Sequence, residues 1–223
     1  MSLLMFWCFL GFSISIFQLE EKTYNEYIVN GDKTIPWMVM FGSSNCPACV
    51  SAAPEFTKAA ESSRGFARFA YADTGRMPNV ATALGIRAVP TFYLFTNEGK
   101  FDYTGPRTNG GMLSFISEKI GEGLEEADET WMDSPNNKVI LFTKRFKAPI
   151  LFSAAYGALK GKNISFGMIR DSETIEMFGK PPIPSIWLYK GSEKMQYKGK
   201  QEFGPLVEQI SEHFGVDFED KDL

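Results

Sequence analysis

Trp37-Met38-Val39-Met40-Phe41 is an unbroken apolar run as long as one buried strand, and Val50 to Ser63 follows with apolar residues at helical spacing. Between them, Gly42-Ser43-Ser44-Asn45 supplies turn and helix-capping chemistry. Upstream, Glu20 to Pro36 is polar, with Tyr24, Tyr27 and Ile28 at helical spacing and Asn30-Gly31-Asp32 as a stop, which predicts a short helix. Downstream, alternation predicts a strand over Phe66 to Tyr71, and Asn79 to Leu84 reads as a short helix closed by Gly85. A β-rich run from Ile86 to Phe95 contains Pro90, which a strand tolerates only at its start or edge. Asn97-Glu98-Gly99 predicts a hairpin turn, with a returning strand from Lys100 to Thr104 and a closing helix from Met112 to Ile120. Pro54 predicts a kink in the second helix, because its ring replaces an N–H. The pattern is that of the α/β class, a mixed sheet with helices on both faces.

The pattern then recurs. Val139 to Thr143 predicts a strand, Ala148 to Leu159 a helix, Ile164 to Ile169 a strand and Phe203 to Phe214 a terminal helix. Ile183-Pro184-Ser185-Ile186 is similar to Val89-Pro90-Thr91-Phe92, and one sequence offset relates Pro90 to Pro184, Tyr103 to Tyr197 and Gly105 to Gly199. Laying Phe142 on Phe41 places Lys147 and Ile150 where Cys46 and Cys49 stand. Residues 18–121 and 138–215 therefore read as two related domains. Residues 122–137, acidic and turn-rich, read as a solvated linker, and 216–223 as an acidic tail.

Met1 to Leu19 carries no charged side chain, and residues 1–17 read as a secretory signal peptide with Gly11, Ser13 and Ser15 as small residues for cleavage. An uncleaved membrane anchor and a buried core helix are the alternatives. Asp220-Lys221-Asp222-Leu223 is loosely similar to the lysine-aspartate-glutamate-leucine retrieval signal, with a plain solvated tail as the other reading. Asn163-Ile164-Ser165 is an N-glycosylation acceptor sequence at the expected start of a strand.

A composition of 44% hydrophobic and 22% charged residues supports an ordinary globular core. The net charge of −4, with Lys and Arg scattered, argues against nucleic acid as a partner. With three cysteines and one histidine, the chemistry narrows to Cys46-Pro47-Ala48-Cys49, since Cys8 falls in the leading segment. A structural zinc site needs four ligands, and only the distant His213 is left to join the pair. A static disulfide closing so short a loop removes little chain entropy. A strand, a turn and a helix opening on C-x-x-C favours redox use instead. The two sulfurs lie one helical turn apart, and the first sits where unpaired N–H groups and the helix dipole favour a thiolate. Cys46 is the expected attacker, and Cys49, expected to be more buried, the resolver.

Residues 20–121 resemble the thioredoxin fold, and specifically a catalytic domain of the protein disulfide isomerase family. The resemblance rests on Cys46-Pro47-Ala48-Cys49 after a strand, Pro54 five residues beyond it, and Ala72-Asp73-Thr74. It continues through Gly85-Ile86-Arg87-Ala88-Val89-Pro90-Thr91 and Tyr103-Thr104-Gly105-Pro106-Arg107. It implies that Pro90 follows a cis peptide bond and lies against the sulfurs, leaving neighbouring backbone free to pair with a substrate strand. It matches Arg107 to an arginine that swings inward to lower the resolving thiol's pKa, with a plain surface arginine as the alternative. Three positions depart from the family. Met40 stands where a buried carboxylate takes the resolving thiol's proton, Asn45 where a tryptophan is usual, and Ala48 where a histidine stabilises the attacking thiolate. Together they imply slow resolution and a weaker oxidant.

The second domain resembles the family's non-catalytic, thiol-free domains. The implied activity is thiol–disulfide exchange on cysteine-containing polypeptides, with unfolded or disulfide-bonded clients and a redox partner such as glutathione or an oxidoreductin. No bound cofactor is required. The implied location is the endoplasmic reticulum lumen or secretory pathway, or a membrane-tethered form with lumenal domains. The competing class is a chaperone-like binding protein with a vestigial redox site.

Overall fold

The computed structural model describes residues 16–63 and 65–218. Residues 1–15, with Cys8, and the C-terminal five lie outside them, so the signal-peptide and retrieval-signal readings fall almost wholly beyond the described residues. Among the described residues no helix is long and apolar enough to cross a membrane.

The first unit runs β1 (Phe17–Leu19), α1 (Glu21–Thr23, continuing as a π-helix over Tyr24–Val29), β2 (Trp37–Gly42) and α2 (Pro47–Ser63). It continues through β3 (Arg68–Asp73), α3 (Pro78–Ala83), β4 (Thr91–Thr96), β5 (Gly99–Tyr103) and α4 (Asn109–Ile120). The sheet order is β1-β3-β2-β4-β5. The first three strands are parallel, and β4 and β5 are antiparallel to their neighbours. Every residue of β2 is buried, which accounts for its unbroken apolar run: a central strand covered on both faces has no solvent side to make polar. Met38, Met40, Phe69, Phe92 and Leu94 face one layer with Phe56 of α2 and Met112 and Ile116 of α4. Trp37, Val39, Phe41, Ala70 and Tyr93 face the other, with Tyr24, Ile28 and Val80.

Three details differ from the sequence reading. The boundary at residue 17 falls on the first residue of β1, an edge strand parallel to β3 with Leu19 buried. The strand over Phe66 to Tyr71 begins two residues later, at Arg68, with Phe66 and Ala67 buried in the approach to it. The β-rich run becomes strand only from Thr91, because Pro90 has no N–H to give a ladder. α2 itself is one helix through Pro54, which has no N–H to donate to the Val50 carbonyl.

The second unit runs β6 (Glu125–Glu126), α5 (Glu129–Met132), β7 (Asn137–Phe142), α6 (Ile150–Leu159) and β8 (Ile164–Ile169). α7 (Ser172–Met177), β9 (Ser185–Lys190), β10 (Glu193–Gln196) and α8 (Phe203–Phe214) complete it. Its order, β10-β9-β7-β8-β6, repeats the first unit strand for strand. The stretch 122–137 is therefore not a solvated linker. β6 pairs with β8, the Asp128 carboxylate caps α5 by accepting from the Trp131 N–H, and Ala127 is buried. Its acidic residues read as a linker because Glu125 and Glu126 sit on an exposed sheet edge, where charge discourages further pairing.

The two units meet along α4 and α6. A Cβ on Gly157 would stand 3.3 Å from that of Ile120, and one on Gly121 would stand 2.9 Å from Ser153 Oγ, so small residues let the helices approach. Tyr156 donates to the Glu122 carbonyl at 3.2 Å. Met112 and Ile116 of the first unit belong to the same apolar cluster as Phe152, Phe166 and Leu206 of the second.

Candidate active site

β2 ends at Gly42 and the chain turns through Ser43-Ser44-Asn45 into α2, with Cys46 immediately before its first residue. The turn is closed by Cys46 N–H donating to the Ser43 carbonyl at 3.1 Å, and Val50 N–H donates to the Cys46 carbonyl at 3.1 Å. Position and dipole then act on one sulfur. The Cys49 N–H donates to Cys46 Sγ at 3.1 Å, and the Cys46 thiol donates to the Val89 carbonyl at 3.6 Å. Cys46 is partly exposed, Cys49 is 4% exposed, and both are free thiols.

The electrostatics separate the pair. The hydrogen bond from the Cys49 thiol, then the N–H groups of Cys49 and Ala48 and the charge of Arg107, hold Cys46 below the usual thiol range. Burial, then the bond to Cys46, pushes Cys49 up, against a smaller lowering by Arg107.

The Val89–Pro90 peptide is cis, as is Ile183–Pro184 at the matching place in the second unit. Pro90 is buried beside the sulfurs, with the Val89 carbonyl turned to Cys46. Arg107 is exposed in the loop between β5 and α4 and lines a recess with Pro90, Thr91 and Tyr103. The Tyr103 hydroxyl donates to the Pro106 carbonyl and ties that loop. Met40 is 4% exposed and, with Ser43, Cys49, Phe56 and Tyr71, lines a cavity of about 270 Å³ behind the resolving sulfur. Asn45 and Ala48 are exposed and bring no ionisable group.

In the second unit, Phe142 lies opposite Ser185 as Phe41 lies opposite Thr91, but the loop that follows is two residues longer, so Pro149 and Phe152 stand at the cysteine positions instead of Lys147 and Ile150. Phe152 N–H donates to the Pro149 carbonyl at 2.9 Å as Cys49 N–H does to that of Cys46 at 3.0 Å. Lys147 is exposed near Glu118 at 3.8 Å, and Ile150 packs against the core. None of these side chains can exchange a disulfide. Asn163 lies exposed in the turn before β8 at φ 58°.

Sequence reasoning missed Tyr71. Alternation put it in a strand, but only the pairing of Met40 with Tyr71 across β2 and β3 brings it to Cys49.

Residues 15–118 match the family model described as Thioredoxin. That match covers a little under half of the chain, the unit that carries the cysteine pair. Human thioredoxin-related transmembrane protein 1 is 34% identical over 109 residues, 48% of this chain and 37% of that protein. The Arabidopsis thaliana protein disulfide-isomerase like 2-2 is 22% identical over 185 residues, 79% of this chain and 39% of that one. The chain thus spans well under half the length of either relative. The crystal structure of ERdj5 form I superposes with a TM-score of 0.59 at 16% identity, covering 90% of this chain and 30% of that one, which shows the fold. The described chain thus consists of two tandem units of thioredoxin-like fold.

Proposed function

We propose that the chain exchanges thiols and disulfides with cysteine-containing polypeptides in the secretory pathway, by attack of Cys46 and resolution by Cys49. The observation that carries this reading is the asymmetry of the pair: a part-exposed sulfur 3.1 Å from a backbone N–H, in front of a buried one. In the reductive direction the Cys46 thiolate attacks a client disulfide, forming a mixed disulfide and releasing one client thiolate. Cys49 then loses its proton and attacks Cys46 Sγ, expelling the second client sulfur, which takes up a proton. The client gains two electrons and the Cys46–Cys49 pair is left as a disulfide, which a reductant such as glutathione returns to dithiol; in the oxidative direction a client dithiol reduces the pair and an oxidoreductin restores its disulfide.

In this reading Pro90, having no N–H, leaves the backbone beside Cys46 open to a client strand, and the Arg107 charge eases ionisation of Cys49. The names of the relatives, one a transmembrane protein and one a disulfide isomerase, support a secretory location, tethered or lumenal. The exposed Asn163 suits glycosylation there. Insulin reduction tests the reading: the parent chain precipitates insulin chains in dithiothreitol faster than buffer, and Cys46→Ser falls to the buffer rate. Equal rates for parent and variant would overturn it in favour of a binding module with a vestigial thiol pair.

A further inference from the structure

Resolution needs Cys49 as a thiolate, yet Cys49 is buried beside Met40, which has no ionisable group. Among the side chains lining the cavity with it, Tyr71 brings a phenol hydroxyl. Tyr71 is the strand partner of Met40 and shares its face of the sheet. The spot a Cβ on Gly42 would occupy lies 3.1 Å from the Tyr71 hydroxyl oxygen and 3.3 Å from Cys49 Sγ. The same spot lies 2.7 Å from the Tyr71 ring, so only glycine lets phenol and sulfur share this corner. Both groups line the cavity of about 270 Å³ behind the active site, several times the roughly 30 Å³ that one water takes up in the liquid.

We propose that the Tyr71 hydroxyl donates a hydrogen bond to the Cys49 thiolate, directly or through solvent in this cavity, and so serves the resolving step that Met40 cannot assist. The assignment rests on the exchange reading above and deepens it. Burial, Asp73 and the two sulfurs push the Tyr71 hydroxyl above its usual range, so it stays protonated at neutral pH and acts as a donor, not a base. The other charges that reach the pocket are Arg76 on Tyr71 and Arg107 on both sulfurs. The step balances without a further reagent. The proton of Cys49 passes to solvent, the Cys49–Cys46 bond forms as the Cys46–client bond breaks, and the client sulfur leaves with the electron pair and is protonated. Tyr71 donates throughout and is unchanged.

The test is the Cys49 titration in the full chain, followed by the ¹³Cβ shift of labelled cysteine in a Cys46→Ser background and assigned by its loss on Cys49→Ser. Removing a hydrogen bond to a charged group shifts such an equilibrium by about tenfold or more. Tyr71→Phe, which keeps the ring, is expected to raise the Cys49 midpoint by about one pH unit. It is also expected to slow release of thionitrobenzoate from its mixed disulfide with Cys46 about tenfold at pH 7. Gly42→Ala, whose Cβ displaces the phenol, should move the midpoint the same way, which covers the case in which Tyr71→Phe does not fold. An unchanged midpoint in a folded variant, while the parent still reduces insulin, overturns the Tyr71 assignment and leaves the exchange reading standing. A parent that fails to reduce insulin overturns both.

Discussion

At the scale of single residues, the site is two sulfurs with opposite electrostatic treatment. Cys46 is held low by hydrogen bonds and a distant positive charge, so it becomes a thiolate as pH rises through a midpoint below that of an ordinary cysteine, about 8.5. Iodoacetamide alkylation of Cys46, read by peptide mass, should therefore reach its plateau at lower pH than alkylation of a free cysteine. A profile coincident with free cysteine would remove the electrostatic account of the attacker. Met40 offers a complementary test. A carboxyl placed there by Met40→Glu would be pushed up by burial toward the working pH, which suits a proton acceptor. Release of a mixed disulfide should then quicken with the fold unmoved. A variant that resolves no faster would show that the missing carboxylate does not limit the step.

At the scale of elements, the long, strongly patterned pieces were legible and the short edges were not. β8 and α8 fall at their predicted bounds because a buried six-residue strand and a twelve-residue amphipathic helix carry enough periodicity to identify themselves. β1 and β6 have three and two residues, too few for a period, and one was submerged in an apolar leader while the other lay in an acidic stretch. α7 went unread for the same lack of length. The cysteine pair and Pro90 were legible because their residue types carry chemistry, whereas Tyr71 owes its place to strand register, a tertiary property. The α4–α6 contact also belongs here. Phe152 of α6 is 1% exposed and packs edge-on to Phe166, with ring centroids 5.7 Å apart, so Phe152→Ala should cost about 3–5 kcal/mol in urea denaturation. Because its cluster includes Met112 and Ile116, accessibility of Cys49 to alkylation in urea should shift together with loss of helix signal. A shift in the second unit's fluorescence with no change at Cys49 would mean that the units unfold apart.

At the scale of the whole molecule, two sheets of the same strand order lie on either side of a common apolar cluster. The second has kept more than its strands. The Tyr197 hydroxyl donates to the Lys200 carbonyl just as that of Tyr103 donates to Pro106, in a unit where Pro149 and Phe152 stand in place of the thiols. A tie that survives where there is no sulfur to serve belongs to the loop's own architecture. The chain thus holds a built-in blank: whatever the two halves share is scaffold, and whatever the first half has alone is where its chemistry must be sought.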